Sequence, residues 1–122
     1  MTPTEETAVR VCNIPSEFHR RRDTSVFQLV QESGYAEADT SSLRCAVEQQ
    51  LRTHPTLLDD WLAYCADKRT SSGWYLADDT SFTVGYYDVG HGRSREQRFS
   101  DRSEACTEFI MRELEAISER TA

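Results

Sequence analysis

The stretch from Gly73 to Phe99, GWYLADDTSFTVGYYDVGHGRSREQRF, constrains this chain more than any other. It concentrates aromatic and β-branched residues, which suit the pleated, half-buried surface of a strand. Asp78-Asp79 and Gly90-His91-Gly92 interrupt them with turn-forming residues. The pattern predicts a three-stranded antiparallel meander. Because successive strand residues face opposite sides, Trp74 and Leu76 share one face while Tyr75 points away. Phe82, Val84 and Tyr86 likewise oppose Thr83, Gly85 and Tyr87. Trp74, Leu76, Phe82 and Val84 are assigned to the core. Gly85 in mid-strand predicts a bulge, or a place where an aromatic ring or a partner's backbone comes close.

A sheet with one apolar face needs a covering layer, and the flanking sequence supplies helices. Asp23-Thr24-Ser25 is an N-cap signal ahead of Val26, Phe27, Leu29 and Val30, with Ser33-Gly34 as the stop. A second helix follows Asp39-Thr40-Ser41-Ser42, carries Leu43, Ala46, Val47 and Leu51 on one face, and ends by His54 because Pro55 follows. Pro55 opens a third, with Leu57, Leu58, Trp61, Leu62 and Cys65 at spacings of three and four. Asp59 and Asp60 sit in its first turn, and Lys68-Arg69 complement its other end. After the meander, Asp101 caps a final helix with Glu104 three residues on and a stripe of Ala105, Cys106, Phe109, Ile110, Leu114 and Ile117. Upstream, residues 1–7 read as a disordered end. Ala8 to Ile14 reads as a short strand stopped by Pro15, leaving open whether it joins the sheet. His19-Arg20-Arg21-Arg22 reads as a solvated helix entry. The expected fold is therefore one α+β domain over residues 1–122: three N-terminal helices, a three-stranded antiparallel meander, and a C-terminal helix packed on the sheet.

Charge narrows the partners. Lys+Arg 14 against Asp+Glu 21 gives a formal net charge of -7, which repels a phosphate backbone and steers a basic protein inward. A protein partner is expected, with no nucleic acid. No membrane association is expected, since no apolar run nears the roughly 20 residues of a spanning helix. Cys12, Cys45, Cys65 and Cys106 show no CxxC spacing, which argues against structural zinc and makes each a small buried hydrophobe. The start MTPTEETAVRVC lacks the basic-then-apolar pattern of a secretory signal, so a cytoplasmic location with reduced thiols is expected.

Candidate chemistry is sparse. A nucleophilic dyad would draw on His91 with Asp88 and on Cys65 or Ser94, but a glycine-flanked histidine at a hairpin tip is ordinarily a turn residue. Asp59, Asp60, Asp67, Asp78, Asp79 and Asp88 are hard oxygen donors without the spacing of a calcium loop. No metal or other cofactor is expected. Tyr75, Tyr87, Arg93, Arg95 and Arg98 form a local case for single-stranded nucleic acid, opposed by the net charge. The strongest signal joins aromatic and acidic residues. Tyrosines anchor interfaces and carboxylates around them select a basic partner, which nominates Asp59, Asp60, Asp67, Tyr75, Asp78, Asp79, Tyr87, Asp88 and His91 as a protein-binding surface.

Three segments, WLAYCADKRTSSGWYL, FTVGYYDVG and FSDRSEACTEFIMREL, together resemble the small acidic immunity proteins of bacterial toxin systems, including contact-dependent inhibition. The resemblance covers the C-terminal half. It implies a non-enzymatic protein, monomeric or homodimeric, that neutralises a basic toxin or nuclease domain by covering its active site or a nearby surface. Two other readings remain: a small ligand-binding domain or enzyme with a pocket between the meander and the third helix, Cys65 or His91 at its rim, and a homodimeric regulatory module pairing through an open sheet edge.

Overall fold

The computed structural model describes residues 2–21, 23–67, 72–78 and 81–119, without the Asp67 side chain. Five helices precede the sheet: α1 (Pro3–Cys12), α2 (Ile14–Arg20), α3 (Val26–Ser33), α4 (Thr40–Thr53) and α5 (Thr56–Asp67). A single 3₁₀ turn, Tyr35–Glu37, separates α3 from α4. The strands β1 (Gly73–Asp78), β2 (Phe82–Asp88) and β3 (Gly92–Phe99) follow, and α6 (Arg102–Glu119) ends the chain. The sheet runs in the order β1-β2-β3, both pairs antiparallel. The α+β class and the meander agree with the sequence.

The N-terminal expectations are overturned. Residues 3–7 belong to α1 rather than to a disordered end, and Ala8 to Ile14 is helical instead of a strand. The cause is a capping box: Glu5 N–H donates to the Thr2 hydroxyl at 3.1 Å while Thr2 N–H donates to the Glu5 carboxylate at 3.3 Å, and Pro3 stands in the first turn. Ala8, Val11 and Cys12, spaced three and four apart, then bury fully on one helical face. Pro15 does not stop a strand; it occupies the first turn of α2, where its missing N–H has no helical partner to lose. The basic run closes α2 at His19 and Arg20 instead of opening a helix, and Arg22 lies outside the described residues. Five helices therefore stand where three were expected.

Most remaining starts and stops match their signals, but α4 begins at Thr40 rather than after Ser42. Asp59 and not Asp60 lies in the first turn of α5, and Lys68 and Arg69 lie outside the described residues. Ser25 caps α3, Gly34 closes it with φ 86°, and Asp39 caps α4 through Ser42 N–H at 3.0 Å. Asp101 caps α6, accepting from Ser103 N–H at 2.8 Å, and Arg52 of α4 holds the same carboxylate at 2.8 Å. That cation is the main reason the Asp101 pKa lies below the ordinary carboxylate value.

The core gathers on α6, where Cys106, Phe109, Ile110 and Leu114 are fully buried against Trp61 of α5, Leu43 and Val47 of α4, and Leu76 and Val84 of the sheet. Trp74 and Phe82, also assigned to the core, are partly buried against it. Glu108 sits at the edge of this layer, 8% exposed, and accepts from Arg44 and Arg112 at 2.7 Å each. Burial pushes its pKa up, but the two guanidiniums together more than reverse that and leave it lowered. All four cysteines are free thiols. Cys12 and Cys106 are buried as expected, and desolvation lifts the Cys12 thiol to about 12. Cys45 departs from the expectation, because it lies on the solvent side of α4.

Candidate functional site

Alternation gives the sheet two unlike faces. In register, Trp74 pairs with Tyr86 and Leu76 with Val84 on the side that packs on α6, whereas Gly73 pairs with Tyr87 and Tyr75 with Gly85 on the other. α5 borders this second, outer face along β1, where Leu62 and Ala66 line a cleft with Tyr75, Ala77 and Tyr87.

A bulge decides what β3 contributes. Val84 pairs with Gln97 and Tyr86 with Ser94, so Arg95 and Glu96 together oppose Gly85. Arg95 takes φ 53°, a left-handed conformation unusual for a side-chain-bearing residue. The extra residue turns Arg95 inward, over the Tyr86 ring at 5.8 Å. It also turns Glu96 outward, where the Tyr75 hydroxyl donates to it at 2.9 Å. Tyr75 thus reaches from β1 across β2 to β3, and Gly85 is what lets it pass. A Cβ on Gly85 would lie 2.5 Å from Tyr75 Oη. Both sequence readings of Gly85, bulge and close aromatic approach, describe one construction. Arg93 lies over the other side of this assembly, 5.2 Å from the Tyr75 ring centroid. Desolvation, and secondarily the Glu96 carboxylate, push the Tyr75 phenol up to about 12.

The described candidate residues fall into several separate sets of contacts. Tyr75 and Tyr87 share the outer face, and Tyr87 is 40% exposed. Asp59 and Asp78 meet at Arg102, at 3.5 and 4.0 Å, which offsets their charge. Asp60 stands on α5. Asp79 and the Asp67 side chain lie outside the described residues. Asp88 is engaged by its own turn: it accepts from Gly90 N–H at 3.3 Å, from the Ser72 hydroxyl at 3.1 Å, and meets His91 Nδ1 at 3.0 Å. Those contacts, the Gly90 N–H first, hold its pKa low. Beside the tyrosines stand arginines. Of the charged residues of β3, Arg93, Glu96 and Arg98 turn outward, so β3 adds one net positive charge to the outer face. The sequence contained these residues, but only the bulge shows that Arg93 and Arg98 turn outward and Arg95 does not.

Catalytic pairing of His91 with Cys65 is not assembled. His91 contacts Asp88 in solvent, with 84% of its side chain exposed, while Cys65 Sγ lies against the β1 backbone, 3.2 Å from Leu76 N and 3.6 Å from its carbonyl. These contacts occupy the exposed edge of β1 and dock α5 along it. A cleft of about 350 Å³ does lie between α5 and the meander, with Cys65 but not His91 in its lining. Among the described residues no three His, Cys, Asp or Glu side chains gather as a metal site, and no helix is long and apolar enough to cross a membrane. No family model, curated protein or solved structure matches this chain.

Proposed function

We propose that this chain is a non-enzymatic binding protein, an immunity-type neutraliser of a basic toxin or nuclease domain, and that it grips its partner with the outer face of the meander. The observation that carries the reading is the outer sheet face on which Tyr75, Tyr87, Arg93 and Arg98 stand together. Tyrosine and arginine are the residue types enriched where interfaces concentrate their binding energy. Tyr75 is held in place before any partner arrives, tied to Glu96 and stacked by Arg93, so little side-chain entropy is lost on binding. The net charge of -7 acts at longer range, drawing a basic partner toward the protein. The roles separate: overall charge sets the association rate, while tyrosine and arginine contacts set the dissociation rate.

The test is kinetic. The purified protein is titrated against the toxin or nuclease domain encoded beside its gene. Binding is expected to slow in its association step as salt rises, and Tyr87→Ala is expected to weaken affinity at least about tenfold, chiefly through faster dissociation. Absence of binding, or binding indifferent to both Tyr75→Ala and Tyr87→Ala, refutes the reading.

A further inference from the structure

The cleft beside the tyrosine face has the make-up of a small-molecule site. Its volume of about 350 Å³ falls within the roughly 300–1,000 Å³ of ligand pockets, which are mainly apolar with a few placed polar groups. Leu62 and Ala66 of α5 line one side and Tyr75, Ala77 and Tyr87 of the sheet line the other. Arg93 is the one charged side chain in the lining among the described residues. It makes no ion pair with any other described residue, and the Tyr75 ring beneath it orients its guanidinium.

We propose that this cleft binds a small apolar monocarboxylate, its hydrocarbon body against Leu62, Ala66 and Ala77 and its carboxylate on Arg93. A planar guanidinium matches a carboxylate with two parallel N–H donors. A chain of net charge -7 disfavours a dianion such as a phosphate monoester. Apolar walls leave the rest of the ligand to be selected by shape and hydrophobicity. The cleft shares Tyr75, Tyr87 and Arg93 with the face proposed above to grip a partner, but its test needs no protein partner, so the two readings fail separately.

The experiment is a ¹H–¹⁵N titration of the full chain with 3-phenylpropionate and, separately, with its neutral analogue 3-phenylpropanamide. The acid is expected to give saturable millimolar shifts centred on Ala66, Gly73 and Ala77, and to bind about tenfold tighter than the amide. Arg93→Gln is expected to erase that preference, and Arg98→Gln, outside the cleft, to keep it. Both side chains are exposed, and the spectra of the free variants check their folds. Shifts that do not saturate or that centre elsewhere overturn the proposal. So does equal binding of acid and amide, a preference that survives Arg93→Gln, or one that disappears in Arg98→Gln.

Discussion

The two faces of the meander are made by alternate residues of the same strands, yet they are held by different physics. The inner face is closed by α6: Leu76 and Val84 are buried, and the half-covered rings of Trp74, Phe82 and Tyr86 each lie under an arginine, Arg112, Arg102 and Arg95 respectively. There the guanidiniums lie over the faces of rings that are only partly buried. The outer face is bordered by α5 along β1, and it is ordered by a bridge, Tyr75 lying over Gly85 to Glu96. Removing water holds the first face together. Fixed polar geometry orders the second.

The largest effect that distinguishes the faces belongs to the inner one. Phe109 is fully buried in α6 and meets the Trp61 ring edge-on at 6.1 Å. Phe109→Ala is expected to cost about 3–5 kcal/mol, the transfer term plus the cavity it leaves, read as a lower urea midpoint with an unchanged slope. Tyr87→Ala on the outer face should change the same midpoint by less than about 0.5 kcal/mol. Comparable losses at the two positions would break the distinction.

The inner face was legible from sequence because hydrophobic alternation is a local signal. Trp74, Leu76, Phe82 and Val84, the stripe of α6, and the Ser25, Asp39 and Asp101 caps were all read from spacing alone. The N-terminus was misread although Thr2-Pro3-Thr4-Glu5 carries a capping-box signature, because Ala8 to Ile14 also fits strand alternation over a few residues. The outer face was only half legible. Tyr75 and Tyr87 fall on one side by counting, but the count fails at β3, where a single extra residue reverses inside and outside. The partners of the acidic candidates are not legible in sequence, because they come from distant segments: Arg102 meets Asp59 and Asp78, and Ser72 joins Gly90 and His91 on Asp88.

A mid-sized effect tests the Tyr75 bridge itself. Gly85→Ala places a methyl 2.5 Å from Tyr75 Oη and 2.7 Å from Cζ, so the ring must swing away and release Glu96. The expected cost is about 1–2 kcal/mol, in the range of an overpacked site. In a Tyr75→Ala background the same change should cost less than about 0.5 kcal/mol, since nothing remains to be displaced. The double-mutant cycle measures this coupling. Additive costs would mean that Gly85 serves the backbone of β2 and not the ring above it.

The smallest effect has the opposite sign and lies where the two faces exchange residues. Arg95 holds φ 53° at the bulge, a conformation that costs an L-residue about 1–2 kcal/mol and glycine almost nothing. Its side chain recovers part of that by lying over Tyr86 at 5.8 Å, about 0.5–1 kcal/mol at an exposed site. Arg95→Gly should therefore stabilise the domain slightly, by up to about 1 kcal/mol in urea unfolding, while Glu96 stays bonded to Tyr75. Arg95→Ala keeps the backbone strain and loses the ring contact, so it should destabilise by about 0.5–1 kcal/mol. That ordering, glycine above arginine above alanine, follows only if the bulge is fixed by the strands on either side of it. If alanine equals or exceeds arginine, the ring contact contributes nothing and the inward turn of Arg95 is a consequence of the bulge alone.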